Sequence, residues 1–355
     1  MNNIPAQRLH QQQISAASPH PPEQILAMLG AIQGQDYTGA KWSLGLRSQG
    51  ATDADIEAAM ADSRIVRTWL MRGTLHLVAA ADFHWMLNLL APRLIESFAP
   101  RYRQLELDSD TFTRSNALLI EALAGGLALS RHELFAVLEQ HGVSTAGQRG
   151  IHILQRASLD GLLYQAAVVK NQPIFRRVDE GLPAQAPLMR DAALVELARR
   201  YFTSRAPATL QDYATWSGLK MSDARAGLEC VQPQLMAEDI NGQTYWRPIA
   251  DPVTPQASPT AYLLPGFDEY LLGYKDRDAV LPRHHAPKVC PGGNGIFYPT
   301  LVLDGQMVGL WQRTLKKTAV ELTFTPFDAP FTAAEQVTFL QAAQRYRQFL
   351  SLPTH

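Results

Sequence analysis

Residues 209–231 read TLQDYATWSGLKMSDARAGLECV, and the punctuation of this stretch decides the fold. Thr209 carries a side-chain oxygen suited to accept a backbone N–H at a helix start. A short helical run follows, Ser217-Gly218 supplies a turn, and a second helix runs on to Val231, which is a helix-turn-helix pattern. A helix over 190–203 precedes it. Residues 234–248 follow as two β-rich runs with Asn241-Gly242 between them, the dipeptide that favours a two-residue hairpin. Helix, helix, helix, hairpin is the order of a winged helix.

The same order recurs twice upstream. Apolar positions Ile25, Leu26, Met28, Leu29 and Ile32 repeat at helical spacing behind Pro22, a residue suited to a first helical turn. A second helix near 40–46 and a third over 53–61, behind Thr52, lead into RIVRTWLMRGTLHLV (64–78), two β-rich runs joined through Gly73. The next copy has helices at 113–126, at 131–140 behind the cap Ser130, and at 145–160, with a hairpin over 161–178. The repeat is architectural and has no fixed period, so it does not describe a solenoid. Residues 251–260, DPVTPQASPT, read as a proline-rich linker. Beyond it, alternating runs such as YPTLVLDGQMVGLWQR predict a small antiparallel sheet closed by a helix over about 332–350. The fold expected is therefore mainly α with β-hairpin wings (α+β): three tandem winged-helix modules plus a small C-terminal β unit. Their bounds are 1–90, 91–185, 186–250 and 251–355.

The polar opening, MNNIPAQRLHQQQISAASPHPP, has no apolar core and is not read as a signal peptide, and no run is long enough to span a bilayer. Cys230 and Cys290 are the only two cysteines, and they lack metal-ligand spacing. A cytoplasmic protein without a metal or cofactor is expected. The net charge of −1 speaks against a nucleic-acid partner. Against that, the 32 basic residues include only seven lysines, leaving 25 arginines, whose fork matches phosphate bidentately.

Several residues could carry chemistry. Gln33, Gln35 and Asp36 fall at the end of the first helix, where they either face a groove or simply cap that end. Arg67, Arg72 and His76 lie in and around the first hairpin; an inserted wing would bring them to a phosphodiester backbone, whereas a solvated wing would leave them without that role. In GFDEYLLGYKDR (266–277), charges of alternating sign read as a surface ion-pair network. His284 and His285, between proline-rich flanks, read as decorating a mobile loop. No nucleophile elbow, phosphate-binding glycine loop or His-Glu-x-x-His motif is present.

Taken in order, IQGQDYTGAKWSLGLR, RTWLMRGTLHLV, LLPGFDEYLLGYKDR and DGQMVGLWQR resemble the AlkZ/YcaQ-type winged-helix DNA glycosylases, over nearly the whole chain. The resemblance implies a concave DNA channel and removal of alkylated purines, in some members with unhooking of interstrand crosslinks. It also implies a catalytic Gln-x-Gln or Gln-x-Asp motif, which places Gln33-Gly34-Gln35 as the catalytic strip with Asp36 beside it. Gly34 stands where the family has a small aliphatic residue. Lys41, Trp42, Arg47, Arg67, Arg72, His76, Asp268, Lys275, Arg277 and Arg313 are the candidate DNA contacts. A cationic alkylated purine leaves without a strong acid, so two amides suffice to fix the sugar and aim a water. No lysine adjoins the strip, which disfavours a Schiff-base step. The expected partner is double-stranded DNA carrying alkylated purines, met by a monomer with no membrane association. A non-catalytic winged-helix DNA-binding protein or regulator is the alternative, and a protein-docking scaffold a further one.

Overall fold

The computed structural model describes residues 4–249, 258–316 and 319–352. Contacts gather the chain into two units, one of Met1–Ile56 with Leu194–His355 and the other of Glu57–Ala193. Most of the linker expected at 251–260, and the boundary drawn at 250/251, lie outside the described residues.

In the Glu57–Ala193 unit, Ile65–Trp69 pairs antiparallel with Leu75–Ala79. The chain reverses through a 3₁₀ turn at Met71–Gly73, which needs positive φ at Arg72 (56°) and Gly73 (75°). Glycine is required at the second position for space as well, since a Cβ there would lie 2.4 Å from the Phe98 ring. The free edge expected of a wing is absent on the other side of this hairpin. Ile65–Trp69 also pairs with Leu163–Val169, with Arg67 opposite Gln165, and the latter strand pairs in turn with Gln172–Arg177. All five residues of Ile65–Trp69 are therefore buried. Burial on both faces explains why its sequence, IVRTW, does not alternate cleanly.

The helices of this unit are Phe83–Gln104, Ser109–Ala122, Arg131–Gln140 and Arg149–Leu159. Ser130 and Glu133 close a reciprocal capping box at the third, as expected from the sequence. The 22-residue Phe83–Gln104 corrects the reading most. Nothing was expected there, and the boundary drawn between residues 90 and 91 falls inside it. Pro92 and Pro100 lie within this helix, and prolines ordinarily argue against one.

In the other unit the 209–231 stretch folds as read. Thr209 and Asp212 form a capping box on Leu210–Ser217, Gly218 takes the left-handed conformation, and Met221–Val231 follows. Leu235–Ile240 pairs with Gln243–Pro248, and positive φ at Asn241 (55°) and Gly242 (77°) makes the tip. The opening stretch, read as merely polar, forms helix Ile4–Gln11, which buries Ile4, Arg8 and Leu9. The C-terminal strands stand in the order Val320–Pro326, Gln306–Leu315, Thr300–Leu303, Ala261–Leu264, all antiparallel. Helix Ala333–Phe349 closes the sheet. Two indoles tie the outer strand down: Trp42 Nε1 donates to Leu263 O and Trp311 Nε1 to Leu264 O, each at 2.7 Å.

Gly73→Ala should cost about 2 to 4 kcal/mol, combining a left-handed backbone with a clash against a packed ring. Gly50 also has positive φ (74°) but open space around it, so Gly50→Ala should cost only about 1 to 2 kcal/mol. Urea unfolding of the two variants against the parent checks the contrast; equal losses would mean that Phe98 yields freely.

Candidate functional site

The motif LLPGFDEYLLGY organises the site. Strand Ala261–Leu264 ends at Pro265, Phe267 takes positive φ (64°), and Asp268 caps the short helix Glu269–Leu272 by accepting from Tyr270 N at 2.9 Å. The expected surface ion pairs are not there. Asp268 and Glu269 are 3% and 0% exposed, because apolar residues surround them on both sides in sequence and draw the segment inward.

Each buried acid has a buried arginine. Arg47 grips Asp268 bidentately, Nη1 to Oδ2 at 2.9 Å and Nη2 to Oδ1 at 2.8 Å, and Ser43 Oγ donates to Oδ2 at 2.7 Å. Burial alone would push the Asp268 carboxyl up. The charge of Arg47, with hydrogen bonds from Arg47, Ser43 and the Tyr270 amide, outweighs it and holds the group below the usual carboxylate range. Arg205 Nη2 meets Glu269 Oε2 at 2.7 Å, and Trp216 Nε1 donates to the same oxygen at 2.8 Å.

This second pair reaches the candidate catalytic strip. Helix Pro22–Leu29 stops at Gly30 (φ 79°), leaving carbonyls that its own backbone cannot satisfy. Arg205 takes them, Nη1 donating to Leu29 O at 2.6 Å and Nη2 to Ala31 O at 3.0 Å. Glu269 Oε1 then accepts from the Gln33 amide at 3.1 Å. Gln33 thus lies in a two-residue strand, Ile32–Gln33, past the helix end where the sequence placed it. It is 7% exposed, Gly34 is buried, and Gln35 is exposed. Asp36 sits at the N-cap of helix Tyr37–Arg47, its carboxylate 3.8 Å from Arg313 Nη2. Gly39 makes room for that carboxylate, since a Cβ there would be 2.5 Å from Asp36 Oδ2. Arg313 Nη1 also donates to Tyr346 Oη at 3.0 Å. Burial raises the Tyr346 hydroxyl above its ordinary pKa, which keeps it neutral.

The candidate DNA contacts divide sharply. Trp42, Arg47 and Asp268 are buried and bonded within the protein, so direct contact with a duplex is not open to them. Lys41 is buried and paired with Asp53 at 2.8 Å. In the other unit, Arg67 is buried with Nη1 on Gln165 Oε1 at 2.7 Å, and His76 is fully buried with Nδ1 3.0 Å from Thr74 O. Arg72, Arg277 and Arg313 are partly exposed, and Lys275 is exposed. Lys275 and Arg277 line a groove of about 720 Å³ with Thr209, Gln211, Gln243 and Arg283. This groove joins the start of the helix-turn-helix to its hairpin. Reading residues by type missed Arg205, Glu269 and Trp216. The signal available was an acidic pair set inside a strongly apolar run, LLPGFDEYLLGY.

Among the described residues, no helix is long and apolar enough to cross a membrane. Residues 26–349 match the family described as DNA glycosylase AlkZ-like; the chain belongs to that family and is a DNA glycosylase. It is 26% identical, over 85% of its length and 84% of the relative's, to an interstrand DNA cross-link repair glycosylase of Streptomyces sahachiroi. The solved structure of Streptomyces sahachiroi DNA glycosylase AlkZ has the same fold, with a TM-score of 0.80 at 22% identity, covering 99% of this chain and 96% of that one.

Because Asp268 has a folded pKa below its unfolded value of about 3.8, its stabilising contribution is complete above that value and lost as the pH falls through the folded pKa. The Asp268 contribution to stability should be constant from about pH 7 to 5 and be lost below about pH 4. Asp268→Asn should lose about 3 to 5 kcal/mol at pH 7, by leaving Arg47 unpaired, and show a shallower acid decline. Thermal melts from pH 7 to 2.5 check this; parallel acid limbs would remove Asp268 from the account.

Proposed function

We propose that this glycosylase is monofunctional and hydrolyses the N-glycosidic bond of purines alkylated at N7 or N3, with Gln33 and Gln35 as its catalytic amides. The observation that carries the reading is the Glu269 bond to the Gln33 amide, which fixes the main chain of the strip just before an exposed Gln35. A fixed main chain is what preorganised catalysis needs. Gly34 would otherwise loosen the strip.

In this mechanism the bond from the anomeric carbon to the cationic base breaks, and the base leaves neutral with the bonding electrons. Gln35 orients a water through its side-chain carbonyl, the water oxygen bonds to the anomeric carbon, and its proton passes to solvent. Gln33 holds the neighbouring amide and the sugar. Asp36 adds negative charge near the oxocarbenium-like sugar, its field reduced by Arg313 at 3.8 Å. A Schiff-base route is disfavoured, since the lysine nearest the strip in sequence, Lys41, is engaged by Asp53. The name of the Streptomyces sahachiroi relative supports extending the substrates to interstrand crosslinks.

The finer reading of the fold belongs to the same proposal. Helices Leu210–Ser217 and Met221–Val231 with the hairpin 235–248 act as one of three winged-helix modules, and Lys275, Arg277, Arg313 and Arg72 are the chain's remaining candidate duplex contacts. The protein works as a cytoplasmic monomer on double-stranded DNA.

Purified protein should release free N7-methylguanine from methylated duplex DNA. Gln35→Ala should lower the single-turnover rate about 100- to 1000-fold with duplex affinity nearly unchanged, the cost of one preorganised contact to developing charge. Equal activity in the variant would show that the strip is not catalytic.

A further inference from the structure

The loop after Pro282 was expected to carry two idle histidines. His284 is exposed, but His285 is 5% exposed, with its ring against Phe327 at a centroid distance of 4.7 Å. Its Nε2 lies 3.0 Å from Asp328 Oδ2, and its Nδ1 is buried with no hydrogen-bond partner. A buried imidazole normally satisfies both nitrogens, so the protein alone leaves this one incomplete. The His284 ring is tilted against that of His285, with centroids 3.9 Å apart. One ligand atom from each of His284, His285 and Asp328 falls within 4.8 Å of the others.

We infer that His284, His285 and Asp328 form a site for a first-row transition metal ion, with zinc the best match. Two neutral imidazoles and one carboxylate are a donor set that zinc accepts, at metal–ligand distances of about 2.0 to 2.2 Å. Ligand atoms around such an ion are about 3 Å apart or slightly more, which the His285–Asp328 pair already meets. His284, being exposed, is free to swing the remaining distance. The fourth position is left to water. The ion would clip the 282–289 loop to the end of strand Val320–Pro326, since Asp328 lies two residues past that strand.

Two cations lie nearby. Arg283 is turned to Asp278, at 2.5 Å, and does not compete. Lys288 does: its Nζ is 3.7 Å from Asp328 Oδ1 and donates to Phe327 O. A metal ion must displace that ammonium, which lies on a half-exposed side chain.

Zinc titration of the full chain by calorimetry, with cobalt absorption as a geometric readout, tests the inference. One ion per chain is expected. His284→Ala and Asp328→Asn, both at exposed positions and so compatible with folding, should each weaken binding by about tenfold or more. Lys288→Ala should strengthen it. Failure to bind one ion per chain, or binding that these three substitutions leave unchanged, would overturn the site and leave His285 and Asp328 as a hydrogen-bonded structural pair.

Discussion

The Glu269 carboxylate is the point on which the site depends. One oxygen receives Arg205 and the Trp216 indole, and the other receives the main chain of Gln33. Those three partners come from three separate parts of the sequence: the end of helix Arg190–Ser204, the helix-turn-helix, and the strip after Pro22–Leu29. A buried carboxylate must keep all its partners, because removing one leaves an uncompensated charge in a low-dielectric interior. The same requirement makes the carboxylate a good anchor. Arg205 doubles the hold by taking the last carbonyls of the preceding helix, so the entry to the strip and the strip itself are fixed by one ion pair.

The arginine excess takes on a different meaning in this light. Twenty-five arginines in a chain of net charge −1 suggest a phosphate-binding surface, yet Arg8, Arg47 and Arg205 are wholly buried and Arg67 nearly so. Arg8 lies 3.5 Å from the Tyr274 ring centre and donates to Pro207 O. These side chains act as interior cross-links, using the planar fork to satisfy several acceptors at once. A DNA footprint has to be sought among those left partly exposed, such as Arg72, Arg277 and Arg313.

Much of the architecture was legible in the sequence. Caps and turns are local, so Thr209, Gly218, Asn241-Gly242 and Ser130 announced their elements correctly. Pairing between distant strands is not local, which is why the first hairpin read as a wing when its first strand also pairs with Leu163–Val169. Phe83–Gln104 was hidden by two prolines that its surroundings tolerate. At the site, position alone left the strip Gln33 to Asp36 open between a groove and a cap, and only family resemblance gave it a catalytic reading, because glutamines near a helix end have no distinctive chemistry. Its support was invisible for another reason: Glu269 and Arg205 are 64 residues apart, and charged residues are ordinarily read as surface. The apolar flanks of Asp268 and Glu269 were the one local sign that these acids go inside.

The central claim is that a buried carboxylate positions the proposed catalytic strip without touching substrate. Single-turnover release of N7-methylguanine by Glu269→Gln, in preparations matched to the parent for folded fraction and duplex affinity, tests it most directly. The account predicts a fall of about 100-fold, the order expected when a reacting group is displaced by about 1 Å. An unchanged rate in a folded, DNA-binding variant would contradict it.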